Sequence, residues 1–490
     1  MRCMARHPRR AAVEFTYVAV GRGILDAPQY LYMRCGERNT HNSLYLGIGC
    51  KIMNGKQKRE VSILLAGVGG YGKNYLDALT DGTARNIERR APHMPVRIAG
   101  AVEIAPAARA VAAERGIPLF DSLEAFYEKE RADLAVLSTP IHLHCEHIKT
   151  CVARGSDVLC EKPMCATVDE ADEIKRAEAA SGRSVWIGYQ MSFSRSILAL
   201  KDDILSGVFG RPLVFKTLVH YPREESYYVR NNWAGRMRAA DGRLILDSPV
   251  HNAVAHHLNN MLFLLGDAPD RAAMPKTVQA ELYRGNPDVD NFDTAAIRCV
   301  AESGVKVLFY TSHCLARAEN IGPINQYRFE RATVVHTDER EHETFYAFLD
   351  DGSTRRYCPE YPDQLHKLWD CIEAVRSGRN GAGENDWAGG WDGAGGRRPA
   401  GGVEAAAPEV YCVNGAQLSH PIATIPGEYV KRIGKPGERY TEVTGLECML
   451  LDCFDKLALP SELEDEKRAP WVTAGKVVKL SEIENMAAKL

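Results

Sequence analysis

Short apolar runs alternate with amphipathic stretches from Val61 to about Ile187. The runs are rich in β-forming residues, and one of the helical stretches between them opens with the capping-box pair Thr167 and Glu170. Such alternation predicts an α/β fold, a doubly wound parallel sheet with helices on both faces. The predicted strands are Val61–Ala66, Val96–Val102, Leu134–Ser138, Asp157–Cys160 and Ser184–Ile187.

The pattern changes after Ile187. A helix over Ser194–Gly207 and a strand over Leu213–Val219 are followed by a long predicted helix that begins near Ser248 and ends before Gly266. Runs of alternating hydrophobicity then predict a second α+β domain with a mostly antiparallel sheet. Its further strands are predicted at Val278–Tyr283, Thr294–Val300, Val305–Ser312, Tyr327–Val335 and Thr344–Phe348.

Composition and charge narrow the class of protein. Of the 490 residues, 45% are hydrophobic and 26% charged, and the net charge is −3, which favours a soluble cytoplasmic protein without a nucleic-acid or membrane partner. The 14 cysteines show no CxxC pair, as expected of reduced thiols. We predict five segments: a basic extension that is disordered or non-native (1–59), a dinucleotide-binding domain (60–187), an α+β substrate and oligomerisation domain (188–377), a flexible Gly-rich insertion (378–402) and the C-terminal part of the second domain (403–490).

A glycine-rich turn directly follows the first predicted strand. In the sequence VSILLAGVGGYG the glycines are Gly67, Gly69, Gly70 and Gly72, with Tyr71 before the last. The Gly-x-Gly-x-x-Gly spacing between a strand and a helix is typical of a Rossmann dinucleotide site, in which the backbone approaches a pyrophosphate and the helix N-terminus faces the anion. Glycine triplets also occur in ordinary loops, so the prediction of a nucleotide site depends on the strand before the turn and the helix after it.

Glu103 ends the second predicted strand, where a carboxylate can bind an adenosine ribose and repel a 2′-phosphate. This favours NAD and makes NADP the less favoured cofactor. Glu103 lies 31 residues after Gly72, which is more than the usual spacing of about 20, and the alternative is a simple helix N-terminal charge before Pro106. The turn Ser138-Thr139-Pro140 is predicted at the same edge of the sheet.

A lysine follows the predicted strand Asp157–Cys160, in the sequence Glu161-Lys162-Pro163. An ammonium group beside a nicotinamide can hold a substrate hydroxyl and stabilise the alkoxide that develops as hydride leaves carbon. The alternative is a strand-end lysine that pairs with a nearby carboxylate.

Four ordered motifs resemble the Gfo/Idh/MocA oxidoreductase family over roughly residues 60–375: VSILLAGVGGYG, DLAVLSTPIHLHCEH, GSDVLCEKPMCATVDEA and IGYQMSF. The resemblance implies an NAD(P)-dependent enzyme acting on a secondary alcohol of a sugar or polyol, and a homodimer or homotetramer. It places the family's lysine on Lys162 and its Asp/His pair on Asp247 and His251, with the histidine as proton acceptor. It also implies that His144 and Glu161 lie near the cofactor. Spacing i, i+4 would put Asp247 and His251 on one helical face.

The same segment departs from the family pattern. Val254 stands where many members have an aspartate, and Pro249-Val250 replaces a small-residue approach to the histidine. His256 and His257 are additional, and they either contact substrate or cap the helix face.

A polar aromatic segment precedes Asp247. Its aromatic rings, amides and guanidinium groups suit a sugar or polyol, and the arginine suits a carboxylate or phosphate. An interdomain loop with stacked aromatics is the alternative. The candidate substrate residues are Tyr228, Arg230, Asn232, Trp233 and, beyond Asp247, Asn252.

Three other functions remain open. The first is a relative that uses NAD transiently to cleave glycosides, and the second is a non-catalytic NAD-binding sensor or scaffold. The third is a zinc hydrolase, suggested by His142, His144, Glu146 and His147. Because glutamate replaces the usual aspartate of that zinc motif, we predict no catalytic metal.

Overall fold

The protein is described by a computed structural model that covers residues 59–80, 95–315, 321–336, 344–358, 365–378 and 399–484. The predicted basic extension lies outside the described residues, apart from Arg59. So does the centre of the predicted Gly-rich insertion, residues 379–398. The segment boundaries drawn from the sequence stay a prediction.

A parallel sheet forms the first half of the described chain, and its central strand β1 is almost completely buried. The strand order is 3-2-1-4-5-6, with every pair parallel, which confirms the doubly wound sheet. Within the described residues its strands are β1 (Val61–Ala66), β2 (Val96–Val102), β3 (Leu119–Phe120), β4 (Leu134–Leu137), β5 (Asp157–Cys160) and β6 (Val185–Ile187).

Helices connect these strands and cover the sheet. The predicted capping box is present: the Thr167 hydroxyl accepts from the Glu170 N–H, and the Glu170 carboxylate accepts from the Thr167 N–H. Pro106 occupies the first turn of its helix. The helices are α1 (Gly72–Thr80), α2 (Pro106–Glu114), α3 (Leu123–Lys129), α4 (His144–Ala153) and α5 (Val168–Ser181).

The second sheet is mostly antiparallel, as predicted. The strand order is 14-13-12-11-7-10-9-8-15, and strand 18 also pairs with strand 8. The pairs 7/10 and 8/15 are parallel. Within the described residues the strands are β7 (Pro212–His220), β8 (Pro275–Arg284), β9 (Thr294–Ala301), β10 (Lys306–Ser312), β11 (Ile321–Phe329), β12 (Ala332–His336), β13 (Phe345–Leu349), β14 (Thr354–Tyr357), β15 (Ala423–Thr424) and β18 (Val478–Lys479). A separate hairpin contains β16 (Val430–Ile433) and β17 (Tyr440–Val443).

Two predicted elements of this domain are wrong in detail. The predicted strand Tyr327–Val335 is two strands, because the chain reverses at Glu330-Arg331 between β11 and β12. The predicted long helix from Ser248 is a π-helical turn, Pro249–Ala253, followed by a separate α-helix. Val254 separates the two with φ −123° and ψ 16°.

Two late helices complete the cores of both sheets. One, α9, packs Leu368, Ile372 and Val375 against the same face of the first sheet as Val61 and Ile63. The next, α10, is buried along nearly its whole length. The helices of this half are α6 (Arg195–Leu205), α7 (Glu225–Val229), α8 (Ala255–Leu264), α9 (His366–Ser377), α10 (Val403–Ser419), α11 (Leu446–Lys456) and α12 (Leu480–Ile483).

The end of the predicted Gly-rich insertion packs on the first sheet. Gly401 O accepts a hydrogen bond from Ile187 N at 2.8 Å, and Gly402 bridges to Trp186. The flexible segment predicted from the sequence therefore does not extend over residues 400–402. Across the described part of the chain, every helix is too short or too polar to cross a membrane.

The turn between β1 and α1 depends on glycine for steric reasons. A Cβ on Gly72 would lie 2.0 Å from Gly67 O, so two backbone segments would have to separate. A Cβ on Gly69 would meet Ala108 Cβ at 3.5 Å and Glu103 Oε2 at 3.7 Å, which are ordinary contacts.

We expect Gly72→Ala to lower the free energy of unfolding by roughly 1–3 kcal/mol. The added Cβ would collide with a backbone oxygen, and no side-chain movement can relieve that collision. Gly69→Ala is the matched control and should melt close to the unchanged protein. Thermal denaturation of the two variants measures the difference, and equal melting temperatures would contradict the steric account.

Candidate active site

The glycine turn lies against the end of β4. Gly67 has φ +80°, and a Cβ there would lie 2.7 Å from Ser138 O. Gly70 also has positive φ, with open space where a side chain would be. The absence of side chains leaves the backbone accessible at the N-terminal end of α1, which is the surface that a pyrophosphate needs. Tyr71, 36% exposed, borders this surface.

Glu103 organises the glycine turn with both carboxylate oxygens. Oε2 accepts from the N–H groups of Val68 and Gly69 at 2.9 and 3.1 Å. Oε1 accepts from Ile104 and Ala105, each at 2.8 Å. Its charge therefore lies directly beside the second glycine, at the end of β2, where the sequence predicted it.

The turn after β4 is tied to the turn after β5 by His144. One ring nitrogen of His144 lies 2.7 Å from Thr139 O and the other lies 2.8 Å from Pro163 O. The imidazole is 1% exposed. His144 thus fixes the spacing between the Ser138-Thr139-Pro140 turn and the turn that carries Lys162, and both nitrogens face carbonyl oxygens rather than a ligand.

Lys162 is bound by one residue of the second domain. Its Nζ donates to Asn252 O at 2.6 Å and to Asn252 Oδ1 at 2.8 Å. The Asn252 amide in turn donates to Asp247 Oδ1 at 2.7 Å. Burial lowers the pKa of Lys162 to about 8, although the charges of Glu161 and Asp247 oppose the shift.

Asp247 is 2% exposed and is held in place by hydrogen bonds. Its Oδ2 accepts from Gly235 N at 2.6 Å, and its backbone carbonyl accepts from Asn291 Nδ2 at 3.0 Å. Burial raises the pKa of this carboxyl group, while these donors and the charges of Arg230 and Lys162 lower it. The predicted residues Lys162, Asp247 and Asn252 therefore form one connected group.

His251 faces the protein interior instead. It is completely buried, with Nε2 3.0 Å from Cys165 O and Nδ1 3.3 Å from Glu409 Oε1. Ser248, in an extended conformation, caps the π-turn Pro249–Ala253 and accepts from His251 N at 3.1 Å. Asp247 therefore lies outside the helical segment, and the i, i+4 argument does not apply here.

His256 is the histidine of this segment whose buried Nδ1 has no hydrogen-bond partner among the described residues. It forms no hydrogen bond within the described part of the chain and packs edge-on against Tyr189, with ring centres 5.8 Å apart. Its pKa is lowered well below the ordinary value by burial, and further by the charges of Lys162 and Lys367. The imidazole is therefore neutral at neutral pH and lies within the electrostatic reach of Lys162.

Lys367, a residue that the sequence did not single out, lies beside Glu161. Its Nζ donates to Glu161 Oε1 at 2.6 Å and to Gly188 O at 3.1 Å, and it lies 4.7 Å from the Tyr71 ring centre. Burial lowers the pKa of Lys367, but Glu161 and Tyr71 together outweigh burial, so the pKa is raised. Glu161 also accepts from the Tyr75 hydroxyl. No local motif marks Lys367, because it reaches the site from α9.

The predicted substrate segment lies on the other side of Asp247. Tyr228 is 7% exposed, and its hydroxyl lies 2.8 Å from His313 Nδ1. The guanidinium of Arg230 stacks 3.5 Å from the Tyr227 ring centre and 5.6 Å from that of Trp233. Asn232 is exposed.

The residues of the zinc alternative do not converge. Among the described residues, potential ligand atoms of three groups come within 4.8 Å of one another only at Cys145, Glu146 and Glu173. Lys149 Nζ already binds both of those carboxylates, at 2.9 and 2.7 Å.

Residues 61–189 match the model of an oxidoreductase family with an NAD-binding Rossmann fold, Gfo/Idh/MocA. The rhizopine catabolism protein MocA of Rhizobium meliloti is 30% identical over 197 residues, which are 38% of this chain and 57% of that protein. An inositol 2-dehydrogenase of Rhodococcus erythropolis is 32% identical over 159 residues, 32% of this chain and 43% of that enzyme. The matched regions thus span about half the length of these relatives.

A solved structure resembles most of the chain. The WlbA dehydrogenase of Bordetella pertussis, determined in complex with NADH and UDP-GlcNAcA, has a TM-score of 0.55 at 18% identity. The match covers 73% of this chain and 96% of WlbA, so the likeness extends to the arrangement of both sheets. Residues 61–189 thus match the NAD-binding Rossmann domain of the Gfo/Idh/MocA oxidoreductases, and the solved structure shows the same fold over most of the chain.

Proposed function

We propose that the protein is an NAD-dependent oxidoreductase that acts on a secondary alcohol of a sugar or polyol. The observation that carries the proposal is the position of Lys162, at the carboxyl edge of the nucleotide-binding sheet and bound to Asn252 beside the buried Asp247. The relatives named for inositol and rhizopine metabolism support this substrate class. A homodimer or homotetramer in the cytoplasm remains part of the proposal.

The residues of the glycine turn fit a dinucleotide. A Cβ on Gly67 or Gly72 would collide with backbone, and Gly69 and Gly70 leave backbone exposed at the start of α1. Gly67, Gly69, Gly70, Tyr71 and Gly72 would hold the pyrophosphate, with Glu103 at the adenosine ribose. When it is bound, the cofactor supplies the hydride acceptor of the reaction.

We expect NAD to bind at least tenfold more tightly than NADP, a difference of about 1.4 kcal/mol, because a 2′-phosphate would approach the Glu103 carboxylate. Calorimetric titration of the protein with each nucleotide measures the ratio. Equal affinities, or tighter binding of NADP, would refute the assignment of Glu103 to the ribose.

Lys162 has one N–H left to offer. A lysine ammonium carries three donors, and Asn252 accepts from two of them. The third can donate to the oxygen of the reacting carbinol. As that oxygen becomes an alkoxide in the transition state, the charge-assisted bond strengthens, which lowers the barrier.

His256 takes the proton-transfer role that the sequence assigned to His251. In alcohol oxidation the hydroxyl proton would pass to the unpartnered nitrogen of His256, and the O–H electron pair would form the carbonyl. The hydrogen on carbon would leave with the C–H electron pair, as the hydride for which a bound cofactor is the acceptor. The low pKa of His256 keeps the imidazole neutral and ready to accept. Asp247 orients the Asn252 amide, whose oxygen then faces the ammonium group of Lys162.

Replacement of the proposed catalytic groups should remove turnover without removing the cofactor. We expect Lys162→Met and His256→Asn each to lower kcat by roughly 10²–10⁴-fold on the best substrate of a sugar, inositol and polyol panel. NAD affinity should change by less than about threefold, because neither side chain belongs to the glycine turn. NADH absorbance follows the reaction.

The matched control is His251→Asn on the same segment. The substitution removes the imidazole that lies against the buried Glu409 Oε1, so we expect a lower melting temperature and a smaller fall in kcat than for His256→Asn. The reverse order of effects on kcat would return the proton-transfer role to His251. Absence of NADH formation with every member of the panel would argue against the enzyme itself.

The pH dependence should follow Lys162. Since its pKa in the folded protein is about 8, the ammonium form is lost as pH rises through that value. Carbonyl reduction needs the ammonium group at the developing alkoxide, so kcat for reduction should fall above about pH 8.

Lys162→Arg should remove this alkaline fall, since a guanidinium stays charged above pH 12. The measurement is the pH profile of kcat for both proteins, together with their melting temperatures. An identical fall in an active, folded Lys162→Arg variant would assign the titration to another group.

A further inference from the structure

Two arginines share one aromatic ring beside the candidate active site. The guanidinium carbons of Arg223 and Arg230 lie 4.9 and 3.5 Å from the ring centre of Tyr227. Stacking on an aromatic face leaves the in-plane N–H groups of a guanidinium free to bind in two directions. The ring therefore gathers two positive charges at one place.

Neither arginine has a carboxylate partner within the described residues. Arg223 donates to Pro222 O at 3.2 Å, and its Nε has no partner there. Arg230 donates to Tyr227 O at 2.5 Å. Both bonds are to neutral carbonyls, so neither arginine forms an ion pair within the described residues.

The nearest acids in the sequence bind other groups. Glu225 pairs with Arg432 and Arg439 and accepts from Gly437 N. Glu224 accepts from Ser226 and from the Tyr440 hydroxyl. The two acids beside the arginines in sequence are thus engaged elsewhere and do not pair with them in the described structure.

A buried histidine adds a third donor at the same place. His313 is 3% exposed, with Nδ1 2.8 Å from the Tyr228 hydroxyl and Nε2 without a partner in the described chain. The Tyr227 and His313 ring centres are 5.7 Å apart. If the hydroxyl donates to Nδ1, the neutral imidazole carries its proton on Nε2 and needs an acceptor. A buried donor without an acceptor is costly.

The charge of Arg230 links this cluster to the reacting centre through Asp247. Asp247, bonded to the Gly235 N–H of the same segment, is close enough to Arg230 for that charge to lower its pKa. Asn252 then links Asp247 to Lys162. A molecule held by Lys162 at a hydroxyl can therefore extend towards Arg230.

We infer that Arg223, Arg230 and His313 bind an anionic group, a carboxylate or a phosphate, on the sugar or polyol substrate. The inference rests on the proposed function, because it extends the same substrate site. Two guanidinium groups and an imidazole N–H match the several acceptor oxygens of such an anion.

The test compares d-glucose, d-glucuronate and d-glucose 6-phosphate on the NAD-saturated protein. Binding is measured by calorimetry and turnover by NADH absorbance. Charge-assisted hydrogen bonds of about 1.5–3 kcal/mol predict a preference of roughly 10–150-fold for one of the two anions over d-glucose. The anion that shows the preference identifies the group as carboxylate or phosphate.

The Arg223→Met/Arg230→Met double variant should lose that preference to within about threefold. Its melting temperature and NAD affinity should be close to those of the unchanged protein. Arg238→Met, which removes an exposed arginine bonded to Gly242 O, is the control and should keep the preference. Single lysine replacements at 223 and 230 should retain part of it, because they keep the charge.

Binding and turnover separate the two hypotheses. Arginine-dependent binding of an anion without NADH formation would support the anion site and contradict the proposed oxidation. No preference for either anion in the unchanged protein, or an equal preference in the double variant, would overturn the anion site whatever the turnover.

Discussion

The bonds from Lys162 to Asn252, and from Asn252 to Asp247, join the two halves of the molecule at the point where chemistry is proposed. Lys162 follows the fifth strand of the first sheet, whereas Asn252 and Asp247 precede a helix of the second domain. A buried ammonium group needs acceptors on all its N–H groups, and a buried carboxylate needs donors. The side-chain amide of Asn252 serves both groups: its oxygen accepts from the Lys162 ammonium group, and its nitrogen donates to the Asp247 carboxylate.

Helix α10 holds this arrangement in place through polar side chains in an otherwise apolar interior. Glu409 lies against His251. The Asn414 side chain donates to Ala166 O and accepts from Val168 N. Gln417 donates to the Asn291 side-chain oxygen, and Asn291 in turn donates to the backbone carbonyl of Asp247. Buried polar groups cost free energy unless they are paired, so each of these bonds restricts the helix to one position. The π-turn, the turn after Lys162 and the Asp247 loop are fixed relative to one another by the same helix.

Much of the fold followed from local patterns. The strands of the first sheet, the glycine turn, Glu103 and the capping box at Thr167 are short-range features, and period, spacing and propensity describe them well. The split between β11 and β12 was missed because Glu330-Arg331 lacks a glycine or asparagine turn signal. The roles of α9 and α10 depend on contacts between residues distant in sequence, 206 positions apart for Lys367 and Glu161 and 158 for Glu409 and His251, which no local pattern records.

The candidate site shows the same division. Lys162, Asp247 and Asn252 were found from motifs, and the structure brings them together. The distinction between His251 and His256 was not accessible from spacing alone, because Ser248 is extended and Asp247 therefore lies outside the π-turn that carries His251. Lys367 and His313 were missed since each acts through neighbours distant in sequence.

The most direct test of this account is a crystal structure of the protein with NADH. The account predicts a nicotinamide ring in the cleft bordered by Glu161, Lys162 and His256, with Lys162 still bonded to Asn252 and His251 still enclosed against Glu409. A ring bound elsewhere, or a cleft in which His251 replaces His256 beside Lys162, would contradict it.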